Sequence, residues 1–233
     1  AAKADRPRAV VLLSAKPDQF IGGADLNLVR SASETEIRTA SETIQRILAD
    51  LAGLPAVSVA AIGGAALGGG CEVALACDWR VAADAPAVRV GQVEIRAGLL
   101  PAGGGTQRLP RLVGLPRALD LILSSRQLGA RRALRAGLVD EVVHPASLER
   151  AAVDRALRAG KRELRGGRTL VERAVTWLPP LRAYALGRAR AQVARETRGH
   201  YPAPYRALEA IATGLAKGMA RGQAVEARAF GEL

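Results

Sequence analysis

The segment Val57-Ser-Val-Ala-Ala-Ile62 is apolar apart from one serine, and it runs directly into Gly63-Gly-Ala-Ala-Leu-Gly-Gly-Gly70 and then Cys71-Glu-Val-Ala-Leu-Ala-Cys77. A short apolar run of this kind must be covered on both faces, so it reads as a buried strand. The glycines let it turn sharply into a helix, and strand, turn and helix make a crossover unit for which the right hand is strongly preferred. A chain built around such a unit is expected to be α/β.

The flanking sequence supports this reading. Val10-Val-Leu-Leu13 reads as another buried strand, ending in the turn Ser14-Ala-Lys-Pro-Asp18, and Gln19–Asp25 reads as a loop with two glycines. Ser33 and Glu36 form a capping-box pattern for a helix whose expected apolar side is Ile37, Ala40, Ile44, Ile47, Leu48 and Leu51, with Gly53 and Pro55 as its stop. Strands are expected at 79–83, 87–90 and 138–143, and helices at 103–113, 116–124 and 130–136. Beyond Pro145 the sequence turns to Ala, Arg and Leu at helical spacing, over 147–160, 169–177, 181–195 and 205–217. The expectation is an α/β body followed by an all-helical tail.

Composition narrows the partners. With 233 residues and 49% apolar content the chain can bury one sizeable core. Its net charge of +12 points to an anionic partner. Aromatics are only 3% of the chain, too few for the stacking platforms of a single-strand binder, and no Lys/Arg tract is concentrated, so nucleic-acid binding is not expected. Two cysteines, Cys71 and Cys77, do not make a disulfide scaffold, and a reducing, cytoplasmic setting is expected. With two histidines and no ligand spacing, no metal site is expected. No apolar run approaches the ~18 residues of a membrane span, and the polar start Ala1-Ala-Lys-Ala-Asp-Arg6 does not read as a signal peptide.

The chemistry-bearing residues gather around the glycines. A helix beginning near Gly69 or Gly70 presents unpaired backbone N–H groups and the positive end of its dipole, which suits a developing oxyanion; the same glycines also serve a tight turn alone. Glu72 falls in the first turn of that helix, where it either pairs with the dipole or does proton chemistry. Glu94, after Gly91-Gln-Val, is either a solvated residue or a second acid/base group beside the first. Cys71 is read as packing rather than nucleophile, Asp25 as a turn or cap residue, and Asp78 as a helix terminator. His144 and His200 are read as structural or exposed, and Arg108, Arg111 and Arg117 as a solvated face.

Four motifs in order, Phe20-Ile-Gly-Gly-Ala-Asp25, Ala65–Glu72, Gly91-Gln-Val-Glu94 and Gly98-Leu-Leu-Pro-Ala-Gly-Gly-Gly-Thr-Gln-Arg108, resemble those of the crotonase, or enoyl-CoA hydratase/isomerase, superfamily. Arg198–Arg206, Thr213–Gly218 and Glu226–Glu232 are similar to the linker of the bacterial fatty-acid oxidation complex α-subunit, where a hydratase domain precedes a 3-hydroxyacyl-CoA dehydrogenase. The resemblance implies a crotonase-like β-β-α superhelix lacking its first N-terminal strands, with a C-terminal helical segment. It divides the chain into a hydratase/isomerase core at 1–160 and, at 161–233, a helical segment and linker toward an absent dehydrogenase domain.

By the same resemblance, the amides of Ala24 and Gly69 form the oxyanion hole, Glu72 and Glu94 do the acid/base work, and Gly22, Gly23, Asp25 and Leu26 lie near the adenine end of coenzyme A. Val93 stands where many relatives have proline. The implied reaction is syn addition of water to a trans-2-enoyl-CoA in fatty-acid β-oxidation, with Δ3-Δ2-enoyl-CoA isomerisation as a second activity. No cofactor is bound for hydration: coenzyme A arrives as part of the acyl-CoA thioester substrate, and NAD belongs only to the absent dehydrogenase. The implied assemblies are a homo-oligomer or, for the complete protein, a complex with a thiolase subunit. A catalytically silent acyl-CoA-binding or docking fragment is the alternative, and the tail argues against a crotonase-type hydrolase or decarboxylase.

Overall fold

The computed structural model describes residues 7–23 and 31–233. Two parallel sheets are stacked by a chain that visits them alternately. The first holds β1 (Ala9–Leu13), β3 (Val57–Ile62), β5 (Trp79–Ala83) and β7 (Glu141–Val143) in that spatial order; the second holds β2 (Gln19–Ile21), β4 (Ala65–Leu67) and β6 (Arg89–Gly91). Each of β1, β3 and β5 is thus followed by a short strand in the other sheet, and β4 leads into a helix, α2 (Gly69–Ala76), before the chain returns to β5. This is the β-β-α superhelix that the resemblance implied.

β3 sits inside its sheet between β1 and β5, and Val59 through Ile62 are fully buried, as its continuous apolar run demands. β2 and β4 were not expected as strands. They are short and glycine-bounded, and their residues pair only because the turn after β3 folds back onto the turn after β1, where the Ala65 N–H donates to the Asp18 carbonyl at 3.0 Å. The expected strands at 87–90 and 138–143 form over the shorter or shifted spans of β6 and β7.

The helix α1 (Glu34–Gly53) has the expected capping box at Ser33 and Glu36, but its buried side differs from the apolar stripe. Ser41, Gln45 and Leu48 face inward, while Ile44 and Ile47 are 43% and 59% exposed. The reason is polar. Ser41 Oγ donates to the Ala102 carbonyl at 2.7 Å and Gln45 Nε2 to the same carbonyl at 3.2 Å, so the helix turns its hydrogen-bonding residues toward a buried loop.

After α3 (Gly105–Val113), α4 (Leu115–Ser124), α5 (Ala130–Ala136) and α6 (Leu148–Arg158), the helices α7 (Leu170–Trp177), α8 (Pro179–Thr197), α9 (Pro202–Lys217) and α10 (Met219–Gly231) follow. α9 and α10 cross closely, with Gly222 so near Gly214 that a Cβ on Gly222 would lie 2.6 Å from the Gly214 Cα. Together they pack on α1 and α3. α10 was absent from the expected helices, and it is the one that reaches the site described next.

Arg80 and Asp140 fasten this frame. Arg80 is fully buried on β5 and pairs with Asp140 at 2.7 Å. Its Nη1 also donates to the carbonyls of Ala74 and Cys77 at 3.3 and 2.9 Å, capping the C-terminal end of α2 with a cation. Asp78, expected only to end a helix, accepts from Ser58 N–H at 2.8 Å and from Lys161 Nζ at 2.8 Å, tying the start of β3 to the segment after α6.

Candidate active site

α2 begins with a backbone that only glycine adopts readily. Gly68, its N-cap, has φ +54° and ψ −123°, and a Cβ there would come within 3.3 Å of Glu94 Oε1. The Glu94 carboxyl therefore lies over the N-terminus of α2, next to the Gly69 amide. Gly23 approaches from the other side, its Cα 3.8 Å from where a Cβ of Gly69 would stand. Gly22 and Gly23 are exposed at this edge. Ala24, Asp25 and Leu26, expected to contribute an oxyanion-hole amide and contacts to coenzyme A, lie outside the described residues.

One turn into α2, Glu72 is only 4% exposed. Its Oε1 accepts two backbone N–H bonds, from Gly103 and Gly105, each at 2.7 Å. Side chains at those two glycines would collide with the carboxylate, since their Cβ atoms would stand 2.9 and 2.8 Å from its oxygens. Burial pushes the Glu72 pKa up to about 7, against the pull of the two amides and of the Arg108 charge.

Glu94 starts a short 3₁₀ turn, Glu94–Ala97, rather than continuing a strand. Its pKa is raised well above the usual carboxylate range, first by burial and then by the charges of Glu72 and Glu226. With its amide nitrogen turned toward Glu94, as the surrounding hydrogen bonds require, Gln92 donates to both oxygens of that carboxyl at 2.8 and 3.1 Å. The structure thus brings Glu72, Glu94 and the Gly69 amide together at one helix start.

The sequence reading missed Glu226, on α10. It is fully buried, accepts from the Gly104 N–H at 2.6 Å, the Thr106 N–H at 3.2 Å and Gln45 Nε2 at 3.0 Å, and is hydrogen-bonded to the Thr106 hydroxyl. Burial and the Glu72 charge raise its pKa to about 8. The reading of Arg108 and Arg111 as a solvated face is corrected as well. Both are buried: Arg108 donates to the Gly103 carbonyl at 2.7 Å, and Arg111 to the carbonyls of Gln107 and Gly214, each at 2.7 Å. The Gly214 carbonyl, in the last turn of α9, is one of the four that a helix end leaves without an intrahelical donor. Cys71 and Cys77 are buried, and burial raises both thiol pKa values, that of Cys77 to about 12, so neither is a ready nucleophile.

The protonation of these acids couples to stability. An ordinary Glu ionises at 4.5, whereas Glu72 and Glu226 hold their protons to about 7 and 8. Between those values the folded state binds more protons than the unfolded chain, so their contribution is fully present below 4.5 and is lost as pH rises through 7 to 8. The melting temperature is expected to fall by several degrees between about pH 5.5 and about pH 8. Glu226→Gln should flatten that slope; an equally steep slope in the variant would refute the protonation assigned to Glu226.

Known proteins share this arrangement of chain. Residues 1–176 match the sequence profile of the family described as Enoyl-CoA hydratase/isomerase. A solved enoyl-CoA hydratase of Geobacillus kaustophilus is 36% identical with a TM-score of 0.62, over 64% of this chain and 56% of that one. The chain therefore spans little more than half the length of that protein. DspI of Pseudomonas aeruginosa is 34% identical over 84% of this chain and 77% of its own, with a TM-score of 0.63. Human mitochondrial Δ3-Δ2-enoyl-CoA isomerase, 23% identical over 94% of this chain and 78% of its own, shares the fold at a TM-score of 0.60. On the profile match over residues 1–176, this chain belongs to the enoyl-CoA hydratase/isomerase family.

Proposed function

We propose that the chain hydrates trans-2-enoyl-CoA thioesters to 3-hydroxyacyl-CoA as a step of fatty-acid β-oxidation. The observation that carries this reading is the meeting of two carboxyls, Glu72 and Glu94, at the N-terminus of one helix, α2. Burial raises Glu72 to about 7 and raises Glu94 well above the usual carboxylate range, the Glu72 charge pushing Glu94 further in the same direction. Two carboxyls in different surroundings, Glu72 on the Gly103 and Gly105 amides and Glu94 against Gln92, suit one base and one acid.

The Gly69 amide, together with the Ala24 amide that the family resemblance implies, polarises the thioester carbonyl and gains strength as negative charge moves onto the oxygen. Ionised Glu72 takes a proton from a water whose oxygen bonds to C3 of the enoyl group. The electrons of the C2=C3 bond pass to the enolate, and Glu94 protonates C2. One water is added, Glu72 ends with a proton more and Glu94 with one fewer, and exchange with solvent resets both. Coenzyme A enters as part of the substrate, and the hydration draws on no bound cofactor. The surplus of basic residues, net +12, favours the phosphates that the thioester carries.

The same pair can take a proton from C2 of a 3-enoyl-CoA and return one at C4, so Δ3-Δ2 isomerisation is the second reading, and the family covers both activities. Product analysis with trans-2-enoyl-CoA and 3-enoyl-CoA separates them: 3-hydroxyacyl-CoA from the first supports hydratase, a shifted double bond alone supports isomerase. Binding of either thioester without turnover would instead support the silent module. For the hydratase, kcat/KM should decline below about pH 7 as Glu72 takes up its proton. A profile flat from about pH 5 to about pH 8 would remove Glu72 as the base. Among the described residues no helix is long and apolar enough to cross a membrane.

A further inference from the structure

The loop from Gly103 to Thr106 has four successive backbone N–H groups, and they alternate between two carboxyls. Gly103 and Gly105 donate to Glu72, Gly104 and Thr106 to Glu226. The alternation has a local cause: Gly104 is the N-cap of α3 in the left-handed region (φ +98°, ψ 14°) and Gly105 and Thr106 open the helix, so the bend divides these unpaired N–H groups between Glu72 on one side and the last helix on the other. Each carboxyl therefore holds the loop in the register that the other needs.

We infer that Glu226, on α10, is a positioning residue for Glu72, fixing the Gly103–Thr106 loop so that its other two amides aim at the reacting carboxyl. The inference rests on Glu72 being the base of the proposed hydration. Nothing places Glu226 against substrate: it is enclosed by Gly104, Thr106 and Gln45, and Gln45 in turn bonds the carbonyls of Ala102 and Gln223 at 3.2 and 3.1 Å. α1, α3 and α10 thus meet at this one carboxyl. The charged groups around it are Glu72 from α2, Glu94 from the 3₁₀ turn and Arg108 from α3, and Glu72 and Glu226 share the Arg108 guanidinium. The role fits the third acid to the loop rather than to the reaction, and it makes the last helix a part of the active-site wall.

Glu226→Gln tests this, because the amide keeps one acceptor and turns an NH₂ group toward the Thr106 N–H, where two donors repel. Two measurements are made on the folded variant: amide hydrogen exchange along the loop, and steady-state hydration of trans-2-butenoyl-CoA. The expected result is faster exchange at Gly103 and Gly105 as well as at Gly104 and Thr106, with kcat down by about 10- to 100-fold and KM unchanged. Exchange that rises only at Gly104 and Thr106, or a rise in KM at constant kcat, overturns the inference. If Glu226→Gln does not fold, Thr106→Val, which removes the hydroxyl that bonds Glu226 and Gln107 Nε2 but keeps the Thr106 N–H, should give the same pattern at smaller amplitude; unchanged exchange at Gly103 and Gly105 there has the same overturning force. If the native chain shows no turnover, the hydratase reading fails, and the exchange pattern alone still decides whether Glu226 orders the amides that bind Glu72.

Discussion

Glu72→Gln and Glu94→Gln are each expected to lower kcat for trans-2-enoyl-CoA hydration by at least about 100-fold, the lower range of what a positioned acid or base supplies. Both replacements preserve shape. A glutamine at Glu72 can still accept the Gly103 and Gly105 amides through its carbonyl oxygen, so the loop has no reason to move, and what disappears is the ability to take a proton from water. At Glu94 the loss is the proton itself. Neither variant should be less stable than the parent at about pH 8, since each removes a carboxyl that burial makes costly to ionise. Activity loss without stability loss separates chemistry from folding. Near-parental turnover in either variant would strike that residue from the mechanism, and turnover lost together with the melting transition would say only that the pocket had collapsed.

How far the sequence alone led can be judged from particular residues. The β3–turn–α2 unit was legible because an apolar run, a cluster of glycines and a helix start carry their information locally, and the structure forms strand and helix there. The four motifs also named Glu72, Glu94 and Gly69 together, and the structure brings the three to one helix start. What stayed hidden depends on contacts remote in sequence. β2 and β4 are too short to carry a period, and they exist through pairing across the two turns. The inward face of α1 follows a buried carbonyl at Ala102 rather than the apolar stripe, which is why Ile44 and Ile47 are exposed and Gln45 is not. Glu226 looked like one charge among many in an Ala- and Arg-rich tail. A signal was available: Gly214 and Gly222 mark a close helix crossing, and a carboxylate following them among small residues is poorly placed for water.

Asp140→Ala is expected to cost about 3 to 5 kcal/mol of stability, the range for breaking a buried ion pair from one side. The loss exceeds that of a surface pair because Arg80 cannot escape to solvent: its side chain is fully buried, and Asp140 is 9% exposed. Asp140 also accepts from the Arg80 backbone N–H at 3.0 Å and pairs with Arg162, so its removal leaves a buried cation, a buried amide and a loosened segment after α6. Thermal or denaturant unfolding reads the effect directly. The double variant Arg80→Met, Asp140→Leu should recover part of the loss, because no charge is then stranded, and a single substitution costing under about 1 kcal/mol would show that the pair is not holding the frame. The consequence reaches the site through one helix. Arg80 holds the carbonyls of Ala74 and Cys77 at one end of α2, and the other end presents the Gly69 amide and Glu72. A helix this short has no independent stability, so the cation that fixes its last turn also fixes the position of its first turn, which carries the Gly69 amide and Glu72. Asp140→Ala assayed below its own melting transition should therefore lower kcat as well, and a variant that melts early but turns over at the parental rate would uncouple the frame from the site.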